Sequence, residues 1–216
     1  MTINVFWNIQ EELNSNKKKK EENEKMVRDA ELYNLRQQLQ PHFLFNSLNS
    51  IIALIGSKPK EARNMVFQLS DFLRGTMRKD EKQFSTVEEE LGHLTLYLDI
   101  EKVRFGHRLS TIFQYDEGVL PAKIPVMILQ PMVENAIKFG LYNITEEVTI
   151  ETSITLDNNM LTIQISNPFD VDQTNQKKGT GFGLTSIQRR MFLLFGRTDL
   201  LLTATEESTF ISTLRI

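Results

Sequence analysis

From His42 to Ile55 the apolar positions Phe43, Leu44, Phe45, Leu48, Ile51, Ile52 and Ile55 recur at the three-to-four spacing of an amphipathic helix. Gly56-Ser57-Lys58-Pro59 reads as a turn. The helical pattern resumes from about Lys60 to Met77, with Ala62, Met65, Val66, Leu69, Phe72 and Leu73 on one stripe. Two such helices joined by a tight turn predict an antiparallel hairpin. The hairpin carries more apolar surface than it can cover by itself. A second copy is therefore expected to pair with it, giving a homodimer held by a four-helix bundle.

Before the hairpin, residues 10–40 are rich in Glu, Lys, Asn and Gln and contain neither Gly nor Pro. Leu32, Leu35 and Leu39 keep a short helical spacing, which predicts either the start of a coiled coil or a solvated lead-in helix. Pro41 lacks the amide that would bond to Gln37, so a bend or a fresh helix start is expected there.

Beyond the hairpin a third helix is expected from Thr86 to about Phe105, and then the texture changes. Ser110–Tyr115, Glu147–Leu156, Asn159–Ser166, Asp199–Thr205 and Ser208–Ile216 alternate and favour β-branched residues, as strands do. Two helices, about Pro125–Gly140 and Gly183–Phe195, lie between them. Adjacent strand pairs with intervening helices indicate an α+β class with one mixed sheet covered by helices on one face. The expected domains are a charged lead-in over 1–31, the hairpin over 32–85 and the α/β part over 86–216.

Composition narrows the function. The chain has 216 residues, 25 basic against 28 acidic, for a formal net charge of −3. That balance provides no whole-chain attraction to nucleic acid or to anionic lipid. Cysteine is absent, which excludes disulfides, thiolate metal sites and a cysteine nucleophile. No apolar run approaches the roughly 20 residues of a membrane-spanning helix, and Met1–Gln10 does not read as a signal peptide. A cytoplasmic setting is expected, with a membrane sensor region upstream if the chain is a fragment.

Three segments carry candidate chemistry. In MILQPMVENAIKFGL (127–141), Leu129, Val133, Ala136, Ile137 and Leu141 form an apolar face, while Glu134, Asn135 and Lys138 bring an acid, an amide and a cation within one turn. An Asn carbonyl oxygen suits magnesium shared with substrate phosphates; the alternative is an ordinary solvated face. Gly179-Thr-Gly-Phe-Gly183 leads straight into a helix, an arrangement that lets backbone amides approach an anion or serves simply as a flexible turn. The polar stretch 167–178 before it has the length of a lid. Asp170, Asp172, Lys177 and Lys178 within it read as solvated. In LQPHFLFNSLNSI (39–51), His42, Asn46 and Asn49 share one polar stripe opposite the apolar one. A neutral imidazole is a competent nucleophile towards phosphorus, its tautomer fixed by Asn46 or by a water. His93 and His107 are isolated on or just after a charged helix and are expected at the surface.

The three segments, in this order, resemble the LytS-like sensor histidine kinases. LQPHFLFNSLNSI resembles their phosphoacceptor motif, LQPMVENAIKFG their nucleotide-binding N box, and GTGFGLTSIQRRMFLLFG their last glycine box and following helix. LSDFLRG and EEELGHLTLYLDIEKVRFG match intervening patterns. The resemblance implies a dimerising, histidine-bearing hairpin followed by an ATP-binding α/β sandwich of the GHKL (Bergerat) type. It places the phosphoacceptor on His42, with Asn46 beside it, and magnesium on Asn135. Glu134 becomes a polar helper and Lys138 a phosphate contact. Gly179, Gly181 and Gly183 line the phosphates, and Arg190 takes the basic position of the helix that follows. The implied reaction is autophosphorylation from Mg-ATP and transfer to an aspartate of a response regulator. Several residues depart from the family pattern. Ile165-Ser-Asn-Pro168 replaces the adenine-binding Asp-x-Gly, leaving Asn167 to accept the adenine amino hydrogen bond. Phe139 stands where histidine is common, Ser186 where asparagine is, and Gly75 where an aromatic is. Phe43 supplies no carboxylate beside His42. These departures motivate the alternative of a nucleotide-sensing or dimerisation module without kinase activity.

Overall fold

The computed structural model describes residues 17, 20, 24–32, 41–79, 83–141, 146–169 and 182–216. The chain divides into two compact units, Met1–Gln38 and Leu39–Ile216. In the first, the described residues are helical and Lys20 faces Glu24 at 4.0 Å, an exposed i,i+4 pair.

The second unit opens with helix α1 (Pro41–Ser57), followed after Lys58 by α2 (Pro59–Lys79). Proline at the first position of each helix costs no hydrogen bond, because that amide has no partner within the helix. In α1 the buried residues Phe43, Ser47 and Ile51 recur every four positions. In α2, Ala62, Met65, Leu69, Phe72 and Thr76 alternate three and four. The Phe43 and Phe72 rings, nearly equidistant from Lys58 along the chain, meet at 5.0 Å, so the two helices run antiparallel. The buried hydroxyls of Ser47 and Thr76 donate to the carbonyls of Phe43 and Phe72, one turn back, at 2.8 and 3.0 Å. The opposite face of the hairpin is open: Phe45 (66% exposed), Ile52 (67%), Phe67 (63%) and Met77 (74%) remain in solvent.

Helix α3 (Val87–Phe105) begins where expected. Thr86 is its N-cap, accepting from the Glu89 amide while the Glu89 carboxylate accepts from the Thr86 amide. The hairpin packs on this helix. Phe43 lies 4.9 Å from the Tyr97 ring, and Phe72 stacks on His93 at 4.6 Å. That aromatic contact joins the hairpin to α3 within the unit Leu39–Ile216. It also corrects the surface expectation for His93, which is 5% exposed because α3 is covered from more than one side. His107 is exposed as expected.

The sheet consists of β2 (Leu109–Tyr115), β4 (Val148–Asp157), β5 (Met160–Pro168), β6 (Leu201–Glu206) and β7 (Thr209–Arg215), in the order β2-β4-β5-β7-β6. β2 runs parallel to β4 and every other pairing is antiparallel. Asn158 and Asn159, both at positive φ, turn the β4–β5 hairpin, a conformation asparagine tolerates well. Two three-residue strands, β1 (Phe84–Thr86) and β3 (Lys123–Pro125), form a separate antiparallel pair that the sequence did not suggest. Helix α4 (Leu129–Leu141) therefore starts later than the expected Pro125, since 123–125 is paired as a strand. The alternating buried residues Val148, Ile150, Thr152 and Ile154 of β4, and Leu161, Ile163 and Ile165 of β5, face the core. Helix α4 lies against β4 and β5, and α5 (Phe182–Phe195) lies against α4 and β6. Among the described residues no helix is long and apolar enough to cross a membrane.

Candidate active site

Helices α4 and α5 meet at the residues singled out in the sequence. A Cβ added to Gly183, in the first turn of α5, would stand 3.9 Å from both Asn135 Oδ1 and the Pro131 carbonyl of α4. The glycine-led helix start and the amide of α4 are therefore neighbours, with no side chain between them. Gly183 keeps that approach open, and the α5 N-terminus adds a positive dipole end. Gly179, Gly181, Asp170, Asp172, Lys177 and Lys178, in the stretch expected as a lid, lie outside the described residues.

Glu134 is partly buried and accepts a hydrogen bond from Gln130 Nε2 at 2.7 Å. Burial raises its pKa from 4.5 to about 8; the Gln130 bond opposes the rise and the nearby charge of Glu101 adds to it. Glu101, 3% exposed on α3, is itself pushed up by burial, against the pull of Arg104 at 3.3 Å. The N-box acid thus belongs to a small buried group reaching from α4 to α3. The sequence hid Glu101, which reads there as one more charge on a charged helix. Lys138 is exposed, its Nζ 5.4 Å from the centre of the Phe139 ring.

Asn167 continues the buried alternation of β5 and is 2% exposed. Its Nδ2 donates to the Pro168 carbonyl at 2.8 Å, so the side-chain oxygen is the group left to accept. A Cβ on Gly140 would come within 3.5 Å of Asn167 Nδ2 and 3.1 Å of Val148 Cγ1. The absence of a side chain there lets the end of α4 close onto β5 beside Asn167.

Arg190 is 1% exposed and donates from its two terminal nitrogens to the carbonyls of Val126 and Met127. These bonds run to the turn just before α4. Ser186, one turn earlier on α5, has a buried hydroxyl without a hydrogen-bond partner.

His42 stands apart, exposed in the first turn of α1. Asn46 Nδ2 lies 3.1 Å from its Nδ1 and 3.3 Å from its Nε2. One amide nitrogen almost equidistant from both ring nitrogens can satisfy only one of them at a time. Among the described residues, no hydrogen bond or ion pair joins His42 to the α4–α5 group. Nor does any cluster of three or more His, Cys, Asp or Glu form a ready-made metal site.

The donor set suits a magnesium nucleotide better than a metal held by protein alone. It offers one amide oxygen for a hard cation, an exposed lysine and a glycine-led helix start for phosphates, and a buried amide oxygen at the sheet for a base.

The histidine kinase family model matches residues 30–109. The sensor protein LytS of Oceanobacillus iheyensis is 32% identical over 189 residues, which is 82% of this chain and 32% of that protein. The sensor histidine kinase YpdA of Escherichia coli is 34% identical over 180 residues, 79% of this chain and 32% of that protein. The chain thus spans 32% of the length of each of these two relatives. A solved structure described as a bacterial phosphotransferase matches with a TM-score of 0.50 at 7% identity, over 87% of this chain and 95% of that one; this likeness concerns the fold alone. With the motifs in order on this α/β framework, the chain belongs to the LytS-like sensor histidine kinase family.

Proposed function

We propose that the chain is the kinase core of a two-component sensor, phosphorylating its own His42 from Mg-ATP and passing the phosphoryl group to an aspartate of a response regulator. The observation that carries this reading is the open approach between Gly183 and Asn135 Oδ1, which joins two motifs distant in sequence into one place for a phosphate-bound cation. When bound, the magnesium nucleotide supplies the phosphoryl group and the positive charge that offsets its oxygens.

The chain's own residues do the rest. Asn135 orients the cation, Lys138 and the α5 amides hold phosphate oxygens, and Asn167 Oδ1 accepts from the base, while Gly179 and Gly181 are given to the phosphates by the family resemblance alone. Glu134, whose pKa burial raises to about 8 in the chain without a cation, is the polar helper beside Asn135. His42 contributes an unprotonated ring nitrogen: a nitrogen–phosphorus bond forms as the phosphorus–oxygen bond to ADP breaks, and a ring proton is released. Positioning supplies most of the rate, because Phe43 next to His42 offers no base. Two copies pair through Phe45, Ile52 and Phe67 into a four-helix bundle, in the cytoplasm.

Incubation with γ-labelled ATP and magnesium, followed by a receiver domain, tests the proposal. The label should appear on the chain and move to the receiver, and His42→Gln should accept none. Nucleotide binding without any label on His42 would instead favour the nucleotide-sensing module that the missing Asp-x-Gly element and Phe139 suggest.

A further inference from the structure

The turn 126–128, between β3 and α4, is held by two buried charges of opposite sign. Arg190 of α5 donates to the Val126 and Met127 carbonyls, while Glu90 of α3, 2% exposed, accepts from the Ile128 amide at 3.2 Å and from Ser85 Oγ at 2.8 Å. The Val126 amide donates to the Gln83 carbonyl at 3.1 Å. Met127 itself has φ +53°, a left-handed conformation that a residue with an unbranched long side chain adopts only under constraint. A strained turn whose carbonyls are clamped by a fully buried guanidinium is costly to build, since a buried charge requires good partners. An ordinary helix start would need none of this.

The placement of the clamp gives it a use. Helices α4 and α5 run antiparallel: Gly183 lies beside Asn135 and Pro131, and Arg190, two turns further along α5, reaches Val126 and Met127, just before the N-terminus of α4. The Gly183–Asn135 contact is where a nucleotide would bind, and the turn before α4 is where the pair is pinned. A slip of one helical turn would shift Gly183 by about 5.4 Å along Asn135 and destroy their alignment. Two hydrogen bonds in the fixed fork of one guanidinium resist such a slip better than a single ammonium does.

We propose that Arg190 is a positioning residue for nucleotide binding: by clamping the 126–127 carbonyls it sets the register of α5 against α4, and so the alignment of Gly183 with Asn135. This rests on the nucleotide-binding reading above. It assigns Arg190 no contact with the nucleotide.

The test compares magnesium ADP affinity by calorimetry with thermal stability, for the wild type, Arg190→Lys, Arg190→Gln and Ile154→Ala. Ile154 is a fully buried residue of β4, paired with Tyr115 and Ile163 along the sheet, so its truncation supplies a destabilised control. All titrations are made well below the lowest unfolding temperature. Affinity should fall about tenfold or more in Arg190→Gln and by less in Arg190→Lys, while Ile154→Ala binds as the wild type does despite its lower melting temperature. Arg190 variants within twofold of the wild type would overturn the proposal. So would an Ile154→Ala loss matching theirs at equal destabilisation, or failure of both Arg190 variants to fold, either of which would make Arg190 a stabiliser of the core only. A wild type that binds no nucleotide would instead remove the functional reading itself.

Discussion

Replacing Glu134 by glutamine should make the protein more stable, and only at higher pH. The carboxyl has an ordinary pKa of 4.5 in the unfolded chain and about 8 in the fold, chiefly because it is buried. Between those values the folded chain holds a proton that the unfolded chain has released. Its contribution is therefore complete below pH 4.5 and is lost as pH rises through 8, at about 1.4 kcal/mol per pH unit. Across the whole interval that amounts to at most about 5 kcal/mol. The carboxyl keeps some contact with water, which reduces the expected figure to roughly 1–3 kcal/mol. Glutamine retains the oxygen that accepts from Gln130 Nε2 but does not titrate. Urea unfolding of the chain without nucleotide or magnesium should show the two proteins nearly equal at pH 5. At pH 8.5 the variant should lead by about 1–3 kcal/mol, or roughly 2–10 °C in melting temperature. A difference constant across pH, or a variant weaker at pH 8.5, would refute the argument that burial holds the proton on Glu134.

Removing the N-cap by Thr86→Ala should cost about 1 kcal/mol of stability, seen as a lower urea midpoint with an unchanged slope. Charges placed on the open hairpin face, as Ile52→Asp or Phe67→Glu, should shift the protein from dimer to monomer in sedimentation, with each chain still folded. Gly183→Ala meets Asn135 and Pro131 only at ordinary contact distance, so stability should change by less than about 1 kcal/mol. The added methyl narrows the approach to Asn135, and magnesium ADP affinity should fall about tenfold in calorimetry.

The sheet was legible because β4, β5 and β7 alternate buried and exposed residues and end at turn formers, so local pattern and final burial coincide. Helix α3 was legible in its extent, from Thr86 to about Phe105, but not in all its buried positions. It is packed by the hairpin on one side and by α4 on another, so His93 and Glu101, polar by type, are buried without breaking any visible period. Strands β1 and β3 are three residues long, too short to show alternation, and their pairing depends on a partner about 40 residues away. At the site, Asn135 and Gly183 stood out by type and context. Their juxtaposition, and the inward turn of Arg190, arise only from the antiparallel packing of α4 and α5. The exposure of Phe45 and Ile52 reflects a surface that no contact among the described residues covers.

The most direct test of the account is to find where the phosphoryl group goes. After incubation of the chain with Mg-ATP, phosphorus NMR and peptide mapping at alkaline pH should locate one acid-labile phosphate on a ring nitrogen of His42. Nucleotide bound at full occupancy with His42 unmodified, or phosphate carried on any other side chain, would contradict it.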